Sequence, residues 1–263
     1  MNNKVRHLLK VCYYNVKYFR QIHSAFYSKS IKEYKNAIQP DELFKYDVTT
    51  ILPCIEDKND DAGSVDPHYF LQDIWMVRQI NKQKPQIHYD IGSRIDGFIA
   101  HMLTQNYLER LVMIDIRPFE VQVDKLDFIQ SNATSLDNIE DETIESLSCL
   151  HAVEHFGLGR YGDPVEPRAW RNALNSMERV IKKGGYLYLS VPIGKTQKLC
   201  FNAHRIFHPQ TIVEALPNMR LVEFAYLHDM EVKKVSLDEI EYVHDRIGNY
   251  DCGLFVFRKE YTN

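Results

Sequence analysis

Residues 86–103 constrain the fold more than any other stretch of the chain. Gln86-Ile87-His88-Tyr89-Asp90-Ile91 is a strand-like run, Gly92 breaks it, and Phe98-Ile99-Ala100-His101-Met102-Leu103 has helical character. A strand, a glycine turn and a helix in that order is the unit from which open parallel sheets are wound. Further strands are predicted at Arg110–Ile116, Leu126–Gln130, Ser146–Ala152 and Tyr186–Val191. Helices are predicted at Trp170–Lys182, with a Gly184-Gly185 stop, and at His208–Leu216. Two long strand-like runs, Leu221–His228 and Cys252–Lys259, close the chain with only a loop between them. The alternation predicts an α/β fold, a mostly parallel sheet covered by helices on both faces. The closing pair predicts an antiparallel hairpin at one edge, for seven strands in all.

Upstream, helices are predicted at Val5–Phe19, at Ser28–Ala37, and from Pro67 through Tyr69–Asn81. The polar run Asp57–Ser64 marks a boundary. The expected domains are therefore a basic helical extension, 1–62, and an α/β domain, 63–263.

The glycine turn narrows the ligand. A phosphate-binding P-loop needs Lys and Ser/Thr after its second glycine, where Phe98 and Ile99 stand. A dinucleotide fingerprint needs Gly-x-Gly-x-x-Gly, and here only Gly92 and Gly97 exist. What remains is Asp90, two places before Gly92, with its carboxylate where a ligand amine would sit. That arrangement suits S-adenosylmethionine, whose tail is an amino acid. Asp115 stands 23 residues after Gly92 at the tip of the second strand, where ribose hydroxyls are bound. Asn132 ends the third strand, where an amide can read an adenine edge.

Composition bounds the rest. At 263 residues and 44% hydrophobic, the chain suffices for one α/β domain and an appendage. Its five cysteines are scattered and form no CxxC pair, as in reduced cytoplasmic proteins. No apolar run is long enough to span a bilayer, and the N-terminus lacks a signal-peptide core. Residues 1–40 carry eight basic residues against Glu33 alone, a net of +7, which leaves −11 for the rest of a chain whose total is −4. An acidic body argues against a general nucleic-acid binder. The basic segment also holds Tyr13, Tyr14, Tyr18, Phe19, Phe26 and Tyr27. Two readings stand for it: peripheral contact with an anionic inner-membrane face or a partner, or a helix packed on the domain.

Two more strand ends carry chemistry. The fourth leads into His151-Ala152-Val153-Glu154-His155 and then Gly157-Leu158-Gly159-Arg160-Tyr161-Gly162-Asp163. The fifth leads to Phe201-Asn202-Ala203-His204-Arg205, with His208 behind it. These segments, with Asp66–Asp73, Asp90–Phe98 and Ile114–Pro118, resemble class I S-adenosylmethionine-dependent methyltransferases. More narrowly they resemble the bacterial DUF268 family, over roughly residues 64–258. The resemblance implies a Rossmann-like fold and S-adenosylmethionine as cofactor. It also implies, through relatives that modify sugars in surface polysaccharide pathways, a small acceptor such as a nucleotide-linked sugar. Asn132 departs from the Asp that many methyltransferases carry.

The cofactor set is then Asp90, Gly92, Ser93, Arg94, Asp115, Ile116, Asn132, Ala133 and His151. The acceptor set is Tyr69, Gln72, Arg160, Tyr161, Asn202 and Arg205, the arginines suiting an anionic group. His155 is the first choice as general base, because imidazole titrates near neutrality, with His204 the alternative and Glu154 orienting it. His151, His155, His204 and His208 lack metal-ligand spacing, and no metal is expected. Two rivals remain: a non-catalytic binding protein on this fold, and a nicotinamide oxidoreductase, which the missing Gly-x-Gly disfavours.

Overall fold

The computed structural model describes residues 19–20, 23–40, 43, 67–120, 122–240, 245–246 and 249–261. The chain divides into two units, Met1–Ser64 and Val65–Asn263. In the first, helix α1 (Ala25–Ala37) begins where the Ser24 hydroxyl accepts the Tyr27 N–H at 3.2 Å, and it buries none of its residues. Nearly all of the helix expected over Val5–Phe19 lies outside the described residues. No helix among the described residues is long and apolar enough to cross a membrane.

The second unit opens with α2 (Pro67–Ile80), then alternates: β1 (Ile87–Ile91), α3 (Ala100–Leu103), β2 (Arg110–Asp115), β3 (Leu126–Gln130) and β4 (Ile144–Leu150). Then come α4 (Ala169–Val180), β5 (Ile181–Ile193), a small hairpin of β6 (Lys198–Cys200) and β7 (His204–Ile206), and α5 (Pro209–Glu214). The chain closes with β8 (Met219–His228), β9 (Glu231–Lys234), β10 (Asp245–Arg246) and β11 (Asn249–Lys259).

The main sheet runs β3-β2-β1-β4-β5-β11-β8-β9, with β10 paired to β11. Strands β1 to β5 are parallel, and β11 is antiparallel to both β5 and β8. The order reverses between β1 and β4, so the crevice above their C-terminal ends is where this sheet admits a ligand. Alternate residues of β5 divide between two cores. Leu187, Leu189, Val191 and Ile193 pack with α4 residues Ala173, Leu174, Met177 and Val180. Tyr188 joins Trp75, Met76 and Ile80 of α2 with Phe98 and Ile99 on the other face. This period of two, with helices on each side, is why the strands read as apolar runs.

Four expectations are corrected. The sheet holds eight strands along its path rather than seven. The extra one, β9, pairs His228 with Glu231 across a turn at Asp229, whose φ is +51°. Its Glu-Val-Lys-Lys sequence is an exposed charged edge, and so carries no apolar signal. Helix α4 stops at Val180 and the chain enters β5 at once. Gly184 and Gly185 lie within β5, where the pairing with β4 shifts register. A Cβ on Gly185 would sit 2.9 Å from the Glu145 carbonyl oxygen, so the irregularity needs glycine there. Finally, the helix after Gly92 opens with a wide π-turn, Ile95–Ile99, before α3.

Candidate active site

The glycine turn is built from its own polar groups. Asp90 is fully buried, and its carboxylate accepts the Ser93 N–H at 3.0 Å and the Ser93 hydroxyl at 2.6 Å. The Ser148 hydroxyl donates to the same carboxylate, and Ser148 in turn meets His88 Nε2 at 2.9 Å. Burial pushes the Asp90 carboxyl up to about 6, against the pull of the Ser148 and Ser93 hydrogen bonds. Asp90 therefore shapes the turn from beneath. Gly92 presents its backbone to the crevice at φ +71°, with room for a Cβ only 3.2 Å from Ala152.

At the tip of β2, Arg117 donates to Asp115 through its backbone N–H at 2.8 Å, Nε at 2.9 Å and Nη2 at 2.7 Å. Burial alone would raise the Asp115 carboxyl, but these bonds and the Arg117 charge outweigh it and hold it low. Arg117 also lies over the Tyr161 ring, 4.7 Å from its centroid. After β3, Asn132 Oδ1 accepts the Thr134 N–H at 3.0 Å and its hydroxyl at 2.9 Å. Because a backbone N–H can only donate, the amide orientation is fixed. Gly92, Asp115, Ile116, Asn132, Ala133, His151 and Tyr161 all line one cavity of about 800 Å³ above β1, β2 and β4. Ser93 and Arg94 border its mouth with Tyr69, over whose ring the Arg94 guanidinium sits at 4.8 Å.

His151 and His155 also line a second, polar cavity of about 840 Å³, with Tyr69, Glu154, Arg160, Asn202, His204 and Tyr250. His151 has a φ of +50°, and its N–H is held by Ser190 Oγ at 3.0 Å and the Ser190 carbonyl at 3.1 Å. Its Nδ1 meets Glu154 Oε1 at 2.7 Å. Burial would lower the imidazole, but Cys252 and Glu154 outweigh it and hold it well above its ordinary value. Glu154 is held correspondingly low: burial raises it, and His151 charge and hydrogen bonding more than reverse that. The pair is an imidazolium against a carboxylate.

His155 is the opposite case. Its Nδ1–H donates to the Ala203 carbonyl at 2.6 Å, which leaves Nε2 with a lone pair. Burial, helped by Arg160 and His151, outweighs Glu154 and Ala203 and keeps the ring neutral. Neighbouring histidines whose environments push them apart are how one site holds a base beside an acid. His151 Nε2, Glu154 Oε2 and His204 Nε2 are buried without a partner among the described residues. Such atoms are costly unless a ligand satisfies them.

The remaining expected residues divide. Arg160 donates to the Ala203 carbonyl at 3.2 Å and stacks on Tyr161. Gln72 is buried: it accepts the Ser190 hydroxyl at 2.6 Å and donates to Asp73 at 3.0 Å, so it braces β5 rather than lining the cavity. Arg205 donates to the Phe156 carbonyl at 2.6 Å and the Glu154 carbonyl at 3.4 Å, and it faces a different groove. Asn202 ties its turn to the Leu158 carbonyl at 3.2 Å while touching the polar cavity. Sequence reasoning missed the roles of Arg117 and Tyr250. Arg117 sits two residues past a strand-tip Asp, a visible signal. Tyr250 is brought in only by the antiparallel register that sets Asp251 against Ile193.

A family model described as "Caenorhabditis protein of unknown function, DUF268" matches residues 98–246. No curated protein matches the chain. Among solved structures, the chain resembles the N-methyltransferase NodS of Bradyrhizobium japonicum with S-adenosyl-l-homocysteine bound. The TM-score is 0.50 at 15% identity, over 73% of this chain and 87% of that one. It resembles the 1,6-didemethyltoxoflavin-N1-methyltransferase of Burkholderia thailandensis, with TM-score 0.50 at 14% identity over 77% and 94%. It also resembles the [4+2]-cyclase SpnF, with TM-score 0.53 at 12% identity over 76% and 86%. At such identities the likeness is one of fold.

Proposed function

The chain belongs to the DUF268 family, and from that premise we propose that it is an S-adenosylmethionine-dependent methyltransferase acting on a small hydroxylated acceptor. The observation that carries this reading is the meeting of two cavities at His151 and His155. The larger resemblance of fold to methyltransferases that bind S-adenosylhomocysteine supports it.

The first cavity suits the cofactor by the chemistry of its lining. Gly92 offers bare backbone to an amino-acid tail, and the Arg94 guanidinium offers donors to its carboxylate. Asp115 has acceptor oxygens for ribose hydroxyls, which Arg117 must share or yield. With Asn132 Oδ1 taken by Thr134, its Nδ2 donor is what remains for an adenine ring nitrogen, between Ile116 and Ala133 in the lining. When bound, S-adenosylmethionine supplies an electrophilic methyl carbon.

The second cavity suits the acceptor. His155 Nε2 takes the hydroxyl proton as the oxygen attacks, since Nδ1 is fixed on Ala203. His151 Nε2–H and Glu154 Oε2 offer a donor and an acceptor side by side, a match for adjacent sugar hydroxyls. The matched family is described from Caenorhabditis. The proposal therefore carries the hydroxyl chemistry and a nucleotide-sugar acceptor, not the bacterial polysaccharide setting the resemblance implied. SpnF, named a cyclase, favours a second reading in which the fold serves chemistry other than methyl transfer.

Calorimetric titration with S-adenosylhomocysteine tests the cofactor. Wild type should bind, and Asp115→Ala should bind at least about tenfold more weakly, the loss of two hydrogen bonds to a charged group. Equal affinity, or no binding to wild type, would sink the reading. Methyl transfer to a panel of nucleotide sugars then separates it from the cyclase-like alternative.

A further inference from the structure

Beside the polar cavity lies a groove of about 780 Å³ of quite different character. Its floor includes Trp170, Ile206 and Phe207; Trp170 and Phe207 pack ring to ring at 5.3 Å, and Phe207 is buried. Its rim carries Val165, Leu199 and Phe201, which remain 65%, 59% and 65% exposed. Single exposed apolar residues need no explanation, but three on two separate segments around one apolar floor do. The rim is not loose packing. Asn202 bonds the β6–β7 turn to the Leu158 carbonyl, and Arg205 holds the Phe156 and Pro167 carbonyls at 2.6 and 3.5 Å. The two segments are thus fixed apart by hydrogen bonds, and the groove between them is a built feature.

Phe201 lines both this groove and the polar cavity. The groove therefore adjoins, at Phe201, the place where His151, Glu154 and His204 keep buried polar atoms unpartnered. The polar cavity calls for a hydroxylated head, and the adjoining groove for hydrocarbon.

We propose that the acceptor is an amphiphile, a sugar-like head bearing a linear apolar tail, with the head at His155 and the tail running past Phe201 along the Val165–Leu199 groove. This rests on the methyl-transfer reading and, at that site, puts an amphiphile in place of the nucleotide-linked sugar. One molecule would satisfy both the orphaned polar atoms and the exposed apolar rim, which neither a free sugar nor a bare apolar chain would do. The acidic charge of the body disfavours burial of an anionic lipid surface there, so the tail belongs to a single bound molecule.

Methyl, butyl and octyl glucosides, titrated by calorimetry below their aggregation concentrations with and without S-adenosylhomocysteine, test the proposal. Octyl should bind at least about tenfold more tightly than methyl, a modest fraction of what seven buried methylenes can contribute. Leu199→Asp and Val165→Asp, which touch neither cavity of the reaction, should each erase most of that gain and leave S-adenosylhomocysteine affinity unchanged. No gain with chain length, including no binding by any of the three glucosides, overturns the proposal. So does a gain that both variants keep, or one accompanied by vesicle binding that the variants lose while chain-length dependence stays. Failure of S-adenosylhomocysteine to bind would instead strike the methyl-transfer reading, and the chain-length series without it would still decide the groove.

Discussion

His151 and His155 stand four residues apart in sequence and do opposite things because Cys252 and Glu154 outweigh burial at His151, whereas burial, with Arg160 beside the ring, prevails at His155. His155→Asn should lower turnover by about a hundred- to ten-thousand-fold while leaving S-adenosylhomocysteine affinity unchanged. Because burial lowers the His155 pKa, the acid limb of the wild-type rate should fall below the ordinary imidazole value of about 6.5. A limb above that value would point to His151, and retained turnover in His155→Asn with loss in His204→Asn would move the base to the β7 strand. A buried histidine elsewhere makes a separate prediction about stability. His88 sits between Ser146 Oγ at 2.7 Å and Ser148 Oγ at 2.9 Å, and burial lowers it to about 3. The unfolded chain takes up its proton below about 6.5 and the folded chain does not, so the stability it gives above 6.5 is lost as pH falls towards 3. Between pH 7 and pH 4 that loss is on the order of 3 kcal/mol. A His88→Gln variant, less stable at pH 7, should close on wild type by about this amount in denaturant unfolding at pH 4. A gap that does not narrow would mean His88 is protonated in the fold.

At the scale of elements, the loop from Gly157 to Pro167 walls both the cofactor cavity and the apolar groove. It closes on itself: Gly157 N–H donates to Asp163 Oδ2 at 2.7 Å, and the Glu166 N–H donates to the Gly157 carbonyl at 3.0 Å. Gly157 has φ +73°, and a Cβ there would lie 2.0 Å from the Glu166 carbonyl oxygen. Gly157→Ala should therefore cost more than about 1 kcal/mol from backbone strain alone, with the clash added. Scanning calorimetry should show the midpoint lowered by at least about 2–4 °C. Gly162→Ala, with nothing within 4 Å of its Cβ, should cost less despite a similar φ. Equal losses would show that strain rather than closure governs the loop. This loop also marks how far the sequence could be read. The parallel strands, the glycine turn and the place of Asp115 at its strand tip were legible because apolar period and strand-tip acids are local signals. The role of Asp90 was not, because Ser148, which occupies its carboxylate, comes from a strand 58 residues away. Gln72 and Arg205 misled for the same reason: polar residues near a ligand site in sequence turned inward to satisfy Ser190 and the Phe156 carbonyl. Charged β9 was invisible because an edge strand needs no apolar pattern.

For the whole molecule, the question is what the basic segment contributes. Among the described residues, those that line the two adjoining cavities fall between Tyr69 and Tyr250. The sheet that carries them is completed within Val65–Asn263, where β11 pairs with β5 and β8 and α2 seals the far face. Among the described residues, the buried members of both cores run from Trp75 onward, with Leu71 packed against one of them. Helix α2 must be kept, because Gln72 and Asp73 support Ser190 and abut Gly97, where a Cβ would lie 2.2 Å from Asp73 Oδ2. A chain beginning at Gly63 is therefore expected to fold and to bind S-adenosylhomocysteine within about threefold of the full chain, as read by calorimetry. What the shorter chain should lose is charge: a net of +7 leaves with residues 1–40. If that segment serves an anionic surface, co-sedimentation with phosphatidylserine vesicles should be measurable for the full chain at low salt and absent for the shorter one. Equal sedimentation of both would assign the segment to packing on the domain. A shorter chain that folds, by its unfolding transition, but no longer binds S-adenosylhomocysteine would place residues 1–62 in the cofactor site and redraw the boundary between the two units.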